Sequence, residues 1–253
     1  MLNYEISGKG TEHLVLLHGL MEDLTIWADM EPHLNEKFRL VKIDLPGHGK
    51  STATEEVLTM EMMAQKVKLL LDELNIGECH LLGHSMGGYT ALAFAERYPE
   101  LLQSMTLFFS TYFPDDEEKK KTRQKSFRII EEEYTKYVNA GVPLLFNSCE
   151  AETLEPKIQI AKDVALRTAN TSALAAVKGI MERPDRSSVM ENFEGRILVL
   201  AGKHDNAVDA IKMLRNLPKK SNIKSYLLDC GHNGHWEKPE ICAAVINREL
   251  LHH

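Results

Sequence analysis

Short runs of consecutive apolar residues recur along this chain and alternate with segments of helical period. They are "HLVLLHG" (13–19), "FRLVKID" (38–44), "CHLLGH" (79–84), "SMTLFFS" (104–110), "RILVLAG" (196–202) and "KSYLLD" (224–229). A strand with one wet face alternates apolar and polar positions. A strand apolar at successive positions needs cover on both faces, which is the condition of a parallel sheet. Between several runs lie helical patterns. Met63, Val67, Leu70, Leu71 and Leu74 fall at helical spacing, with Thr59 placed to cap and Glu61 in the first turn. "MGGYTALAFAERYPE" reads as a second helix, ended by Pro99. The expected class is therefore α/β, a mostly parallel doubly wound sheet with helices on both faces. At 253 residues and 43% hydrophobic, the chain suffices for one large core.

The alternation breaks after Ser110. "DDEEKKK" (115–121) offers opposite charges four apart, Asp115 with Lys119, Asp116 with Lys120 and Glu117 with Lys121, as at an exposed helix start. "FRIIEEEYTKYV", "KIQIAKDVALRTA" and "TSALAAVKGIME" are helical in period, and no strand is evident among them. Residues 1–110 and 191–253 read as the core, and 111–190 as an all-helical insertion leaving from a strand end. In such sheets ligands sit beyond the carboxyl ends of the strands, so the insertion is placed to roof a pocket.

Several functions are disfavoured. Net charge is −7 with basic residues scattered among acids, so no nucleic-acid face is expected. No apolar run reaches bilayer length and the amino terminus lacks a signal-peptide pattern, which predicts a soluble, cytoplasmic protein without a membrane partner. Cys79, Cys149, Cys230 and Cys242 form no CxxC pair and read as free thiols. The terminal His252 and His253 are given no role. Oligomeric state is not legible.

"GHSMGG" follows the strand "CHLL" and satisfies G-x-S-x-G with Gly83, Ser85 and Gly87. A sharp strand-to-helix turn exposes the serine hydroxyl, and glycines at the flanks tolerate the close backbone approach. A serine needs a base to take its proton and an acceptor to orient that base. Asp205 lies just past the strand 196–202 and His232 just past 224–229, so Ser85, Asp205 and His232 come in the order of a nucleophile-elbow hydrolase. His84, next to the apex, is expected to point away. Asp115 and Asp116 compete with Asp205 as the acid. A metal site of His232, His235 and Asp205 lacks a further ligand at recognisable spacing. "GHGKS" fails as a phosphate loop because Asp44 stands where its first glycine belongs.

With "HGL" at 18–20, "DLPGHGKS" at 44–51 and the "GH…EKPE" ending, the sequence resembles the α/β-hydrolase superfamily over essentially the whole core. The resemblance implies an α/β-hydrolase fold with a helical cap. It also implies Ser85 as nucleophile, His232 as base, Asp205 as orienting acid, and an oxyanion hole from the backbone N–H groups of Leu20 and Met86, whose side chains are free to line the pocket. A serine at the elbow argues against the aspartate-based chemistries of the fold. His235 is expected to pack or hydrogen-bond near the catalytic loop.

Pocket residues are expected among Leu20, Met21, Trp27, Met86, Phe109, Tyr112 and Phe113, with Leu144, Leu145, Phe146 and Met181 from the insertion. This apolar set has no cationic clamp. It points to a small-molecule carboxylic ester of short to medium acyl chain, cleaved without a cofactor or metal. "MERPDR" (181–186) reads as a hinge, with Asp185 paired to a neighbouring arginine, and Arg183 or Arg186 is a weaker candidate for holding an acidic substrate. A carbon–carbon bond hydrolase, a thioesterase, a lactonase, a menaquinone-pathway lyase and a ligand receptor on the same fold remain open, because specificity lives in the insertion.

Overall fold

The computed structural model describes residues 2–251, so His252 and His253 lie outside the described residues. Seven strands form one sheet: β1 (Tyr4–Ser7), β2 (Glu12–Leu17), β3 (Phe38–Ile43), β4 (Cys79–His84), β5 (Leu102–Phe108), β6 (Arg196–Gly202) and β7 (Ile223–Leu228). Their spatial order is β1-β3-β2-β4-β5-β6-β7. Only β1 runs antiparallel, pairing with β3 through Tyr4 opposite Ile43. The six apolar runs supply β2 to β7. β1 is an addition, a four-residue edge strand whose side chains are only partly covered and so carry no apolar run.

The sheet explains the consecutive apolar residues. Val15 and Leu17 enter one buried cluster, with Val41, Leu81, Met105 and Val199, while Leu14 and Leu16 enter another on the opposite face, with Leu40, Leu82, Phe108 and Leu198. The helix Met60–Glu73 covers the first face with Met63, Val67, Leu70 and Leu71, and Thr59 caps it by accepting from Met62 N at 3.2 Å. Met86–Arg97 lies on the same face, and the chain leaves it at Tyr98 to enter the short 3₁₀ segment Pro99–Leu101, with the proline at the first position of that turn. The carboxy-terminal helix Pro239–Leu251 covers the second face with Cys242, Ile246 and Leu250.

Between β5 and β6 every regular element is helical: Glu117–Glu132, Tyr134–Gly141, Ala151–Ala165, Asn170–Glu182 and Ser187–Asn192, with short 3₁₀ turns. The expected charge pairs of its first helix are not the ones formed. Asp116 caps the helix by accepting from Lys119 N at 2.8 Å, Asp115 turns inward to two arginines, and Lys120 pairs with Glu117 three residues before it. An N-cap carboxylate meets otherwise unpaired helix donors, which a solvated ion pair cannot match. No helix among the described residues is long and apolar enough to cross a membrane.

Candidate active site

The parallel strands deliver their following loops to one edge. The strand order reverses direction beside β2 and β4, and at this switch point the His18–Glu22 turn faces Ser85. Ser85 adopts φ 49° and ψ −112°, a left-handed conformation rare for a non-glycine residue. Three contacts impose it: Ser85 N–H donates to Phe108 O (3.1 Å), Gly88 N–H donates to Ser85 O (2.9 Å), and Ser110 Oγ donates to the same carbonyl (2.8 Å). Glycines permit the turn, since a Cβ on Gly83 would overlap Gly87 O and one on Gly87 would overlap Leu17 O.

Asp205 and His232 meet across the loops after β6 and β7. His232 Nδ1 donates to Asp205 Oδ2 at 2.7 Å, while Oδ1 accepts from Ala207 N (2.7 Å) and Val208 N (2.9 Å). Burial alone would raise the Asp205 pKa, but His232 and these N–H groups hold it below the usual range. Burial acts on His232 in the opposite sense to Asp205, whose charge and hydrogen bond leave the imidazole more basic than usual. With Nδ1 committed to Asp205, Nε2 of the neutral ring is the free acceptor, the arrangement a general base requires. Ser85 and His232 line one cavity of about 330 Å³.

The main-chain N–H groups of Leu20 and Met86 lie in the His18–Glu22 turn and at the start of the helix Met86–Arg97. Met86 opens its helix, so its N–H has no carbonyl one turn back within it. Leu20 is the second residue of a turn closed by Glu22 N–H donating to Gly19 O at 3.4 Å. His18 braces that turn. Its Nε2 accepts from Leu45 N (2.9 Å), so Nδ1 carries the proton donated to Gly19 O (2.8 Å).

Two buried carboxylates were not legible in the sequence. Glu22 accepts from Gly19 N (2.5 Å) and from His84 Nδ1 (2.8 Å), and His84 Nε2 donates to the carbonyl of His232 (3.1 Å). Burial opposes the Glu22 charge, but His84 outweighs it and sets the pKa at about 2. His84 thus does not point away from the cavity; it joins the His18–Glu22 turn to the His232 loop. Glu237 accepts from Gly231 N (2.9 Å), Asn147 N (3.1 Å) and Asn233 N (3.2 Å), tying the His232 loop to the insertion. Its only sequence signal is its place in "EKPE".

His235 packs, fully buried, between His84, Trp27 and Trp236, and neither ring nitrogen has a hydrogen-bond partner among the described residues. Burial pushes its pKa down and keeps it neutral. Ligand atoms of Glu22, His84 and His235 lie within 4.8 Å of one another. The Glu22 oxygen that faces His84 is already shared between His84 Nδ1 and Gly19 N–H, so the ligand atoms of these two residues are engaged in a hydrogen-bond network.

The cavity wall departs from expectation. Leu20, Met21, Leu144 and Leu145 line it, joined by Tyr89, Arg123, Tyr137, Val142, Ile180 and Asn206. Trp27 is instead core beneath Phe108, and Phe109 is fixed against Phe108 and under Gly234. Tyr112 donates to the Met213 carbonyl at 3.2 Å with the Phe113 ring tilted against it, and Phe146 stacks on Trp236. Met86 is buried in the core. Met181 yields to Ile180, because one residue on a helix turns a side chain by about 100°. Arg183 and Arg186 are structural: the first bonds Asp115, Phe113 O and Ile180 O, the second Glu61 and Glu96. Asp185 pairs with neither, accepting instead from Ser187 N at 2.7 Å. Asp115 and Asp116, engaged as described, do not reach His232.

A larger recess, about 650 Å³, opens at the far edge of the sheet beside a second serine–histidine–carboxylate row, Ser104, His80 and Glu12. Ser104 sits mid-strand, where neighbouring N–H groups serve the sheet ladder, so no turn presents it with oxyanion donors.

Residues 12–155 match the family model described as alpha/beta hydrolase fold. The chain belongs to the α/β-hydrolase family. A 2-hydroxy-6-oxononadienedioate/2-hydroxy-6-oxononatrienedioate hydrolase of Pseudomonas putida is 28% identical, the match covering 99% of this chain and 90% of the relative. Among solved structures, a thermophilic esterase of Thermogutta terrifontis superposes with TM-score 0.91 at 28% identity, over 99% of this chain and 93% of its own. An enol-lactonase of Burkholderia xenovorans LB400 gives TM-score 0.91 at 25% identity, over 99% and 96%. This α/β-hydrolase therefore shares its fold with relatives that differ in the bond they cleave.

Proposed function

We propose that this α/β-hydrolase is a serine hydrolase cleaving carboxylic esters of short to medium acyl chain through an acyl-enzyme. The observation that carries the reading is Ser85, held at φ 49° at the head of its helix, in the same cavity as a His232 oriented by Asp205. His232 Nε2 takes the Ser85 proton as Oγ attacks the ester carbonyl. The N–H groups of Leu20 and Met86 stabilise the tetrahedral oxyanion, and the imidazolium returns its proton to the departing alcohol. Water, deprotonated by the same ring, then releases the acid and restores Ser85. The 330 Å³ cavity is at the small end for ligand pockets, in keeping with short substrates. The helices of 111–190 act as its cap.

A second reading is carbon–carbon bond cleavage, favoured by the name of the P. putida relative. Turnover of 4-nitrophenyl butyrate, 4-nitrophenyl palmitate and 2-hydroxy-6-oxononadienedioate separates the two. The ester reading expects butyrate above palmitate and no cleavage of the dienedioate. Cleavage of the dienedioate with negligible ester turnover would replace it.

A further inference from the structure

One buried carboxylate, Asp115, serves two guanidinium groups, one of which lines the cavity. Asp115, its side chain 1% exposed, accepts from Arg123 Nε at 2.5 Å and from Arg183 Nη2 at 2.9 Å. Two cations against one anion leave the cluster with a surplus positive charge.

The two arginines dispose of it differently. Arg183 is buried, donates to the carbonyls of Ile180 and Phe113, and lies 4.1 Å over the Tyr89 ring. Arg123 has a side chain 26% exposed and lines the cavity. Its bond to Asp115 runs through Nε, and among the described residues no hydrogen bond engages its two terminal amino groups, which stay accessible to solvent. A guanidinium anchored at Nε and open at both amino groups is a preorganised fork for a planar anion. The other charged side chain of the wall, Glu22, is spent on Gly19 N and His84.

We propose that Arg123 is a substrate-binding residue that selects esters bearing a carboxylate remote from the scissile bond. The inference rests on the serine hydrolase reading above and names its substrate class. Tyr137, also in the wall, flanks the fork, and the apolar Val142, Leu144 and Ile180 contact the linking chain. The carboxylate replaces the water that otherwise solvates the two amino groups, while Asp115 holds the guanidinium plane in place.

The test is kcat/KM for matched pairs: monophenyl glutarate against phenyl valerate for a carboxylate on the acyl side, and 4-acetoxybutyrate against butyl acetate for the alcohol side. In at least one pair the wild type should prefer the anion by about tenfold or more, the order expected of one charge-assisted fork. Arg123→Gln should abolish the preference, and Arg123→Lys should restore part of it. Should a variant fail to fold, the wild-type ratio still decides. Equal rates within both wild-type pairs, or an unchanged ratio in folded Arg123→Gln, would overturn the inference while leaving the hydrolase reading standing. Absence of turnover on all four esters, with no labelling of Ser85 by a fluorophosphonate, would instead remove the reading beneath it.

Discussion

Glu22 offers the sharpest perturbation outside the reacting residues. Its carboxylate accepts from Gly19 N–H, at the root of the turn proposed to hold the oxyanion, and from His84, whose other nitrogen holds the His232 carbonyl. Glu22→Ala leaves two buried donors without acceptors, at about 1–3 kcal/mol each, so the fold should lose about 2–6 kcal/mol. A domain typically has about 5–15 kcal/mol to lose, so a folded variant is expected. Freed from Glu22, the turn no longer fixes Leu20 N–H, and loss of one oxyanion donor costs about 10²–10³ in kcat. Glu22→Gln separates geometry from charge. Both bonds run to one oxygen, Oε2, so the amide oxygen of a glutamine placed there can accept from Gly19 N–H and from His84 Nδ1 alike, and kcat should stay within about tenfold of wild type. Urea unfolding gives the stabilities and initial rates on 4-nitrophenyl butyrate give kcat. A folded Glu22→Ala variant with kcat within about twofold of wild type would refute the coupling of Glu22 to the oxyanion turn.

Asp205 raises the basicity of His232, and the base works only when deprotonated. Activity should therefore fall as pH drops through a midpoint above the ordinary histidine value of about 6.5, and a kcat/KM profile with its acid midpoint below that value would contradict the assignment. Asp205→Asn should lower kcat by about 10⁴ by misorienting the ring, measured as initial rates; a loss under tenfold would count against it. Gly87→Ala drives a Cβ into Leu17 O and His18 O, so thermal unfolding should show a loss of about 1–3 kcal/mol, and wild-type stability would contradict the packing at the elbow. Dialysis against EDTA should leave ester turnover unchanged, and loss restored by zinc would assign the Glu22–His84–His235 cluster to a metal.

What the sequence disclosed follows from what burial and topology impose locally. β2 to β6 were legible because burial on both faces demands apolar residues at most positions, whereas β7, an edge strand with no buried side chain, shows only the short apolar end Tyr226–Leu228. Ser85, Asp205 and His232 could be placed because parallel strands bring their following loops to one edge. β1 escaped because an edge strand with the burial of Tyr4–Ser7 carries no such run. The cavity wall escaped for a different reason. Helical period shows that Asn170–Glu182 is a helix but not which stripe faces the cavity, and Ile180 rather than Met181 does. Arg123 lies in a charge-rich stretch that reads as a solvated surface, and only the inward turn of Asp115 reveals its role. Glu22 and Glu237 act on backbone N–H groups, which leave no trace in side-chain patterns.

The central claim is that Ser85 is a nucleophile activated by His232. Its most direct test is mass spectrometry of the protein after brief exposure to a fluorophosphonate, read beside ester turnover for the wild type, Ser85→Ala and His232→Ala. The account predicts a single adduct on Ser85 in the wild type, none in Ser85→Ala, strongly slowed labelling in His232→Ala, and turnover lost in both variants. Unlabelled wild type, or turnover that survives Ser85→Ala, would contradict it.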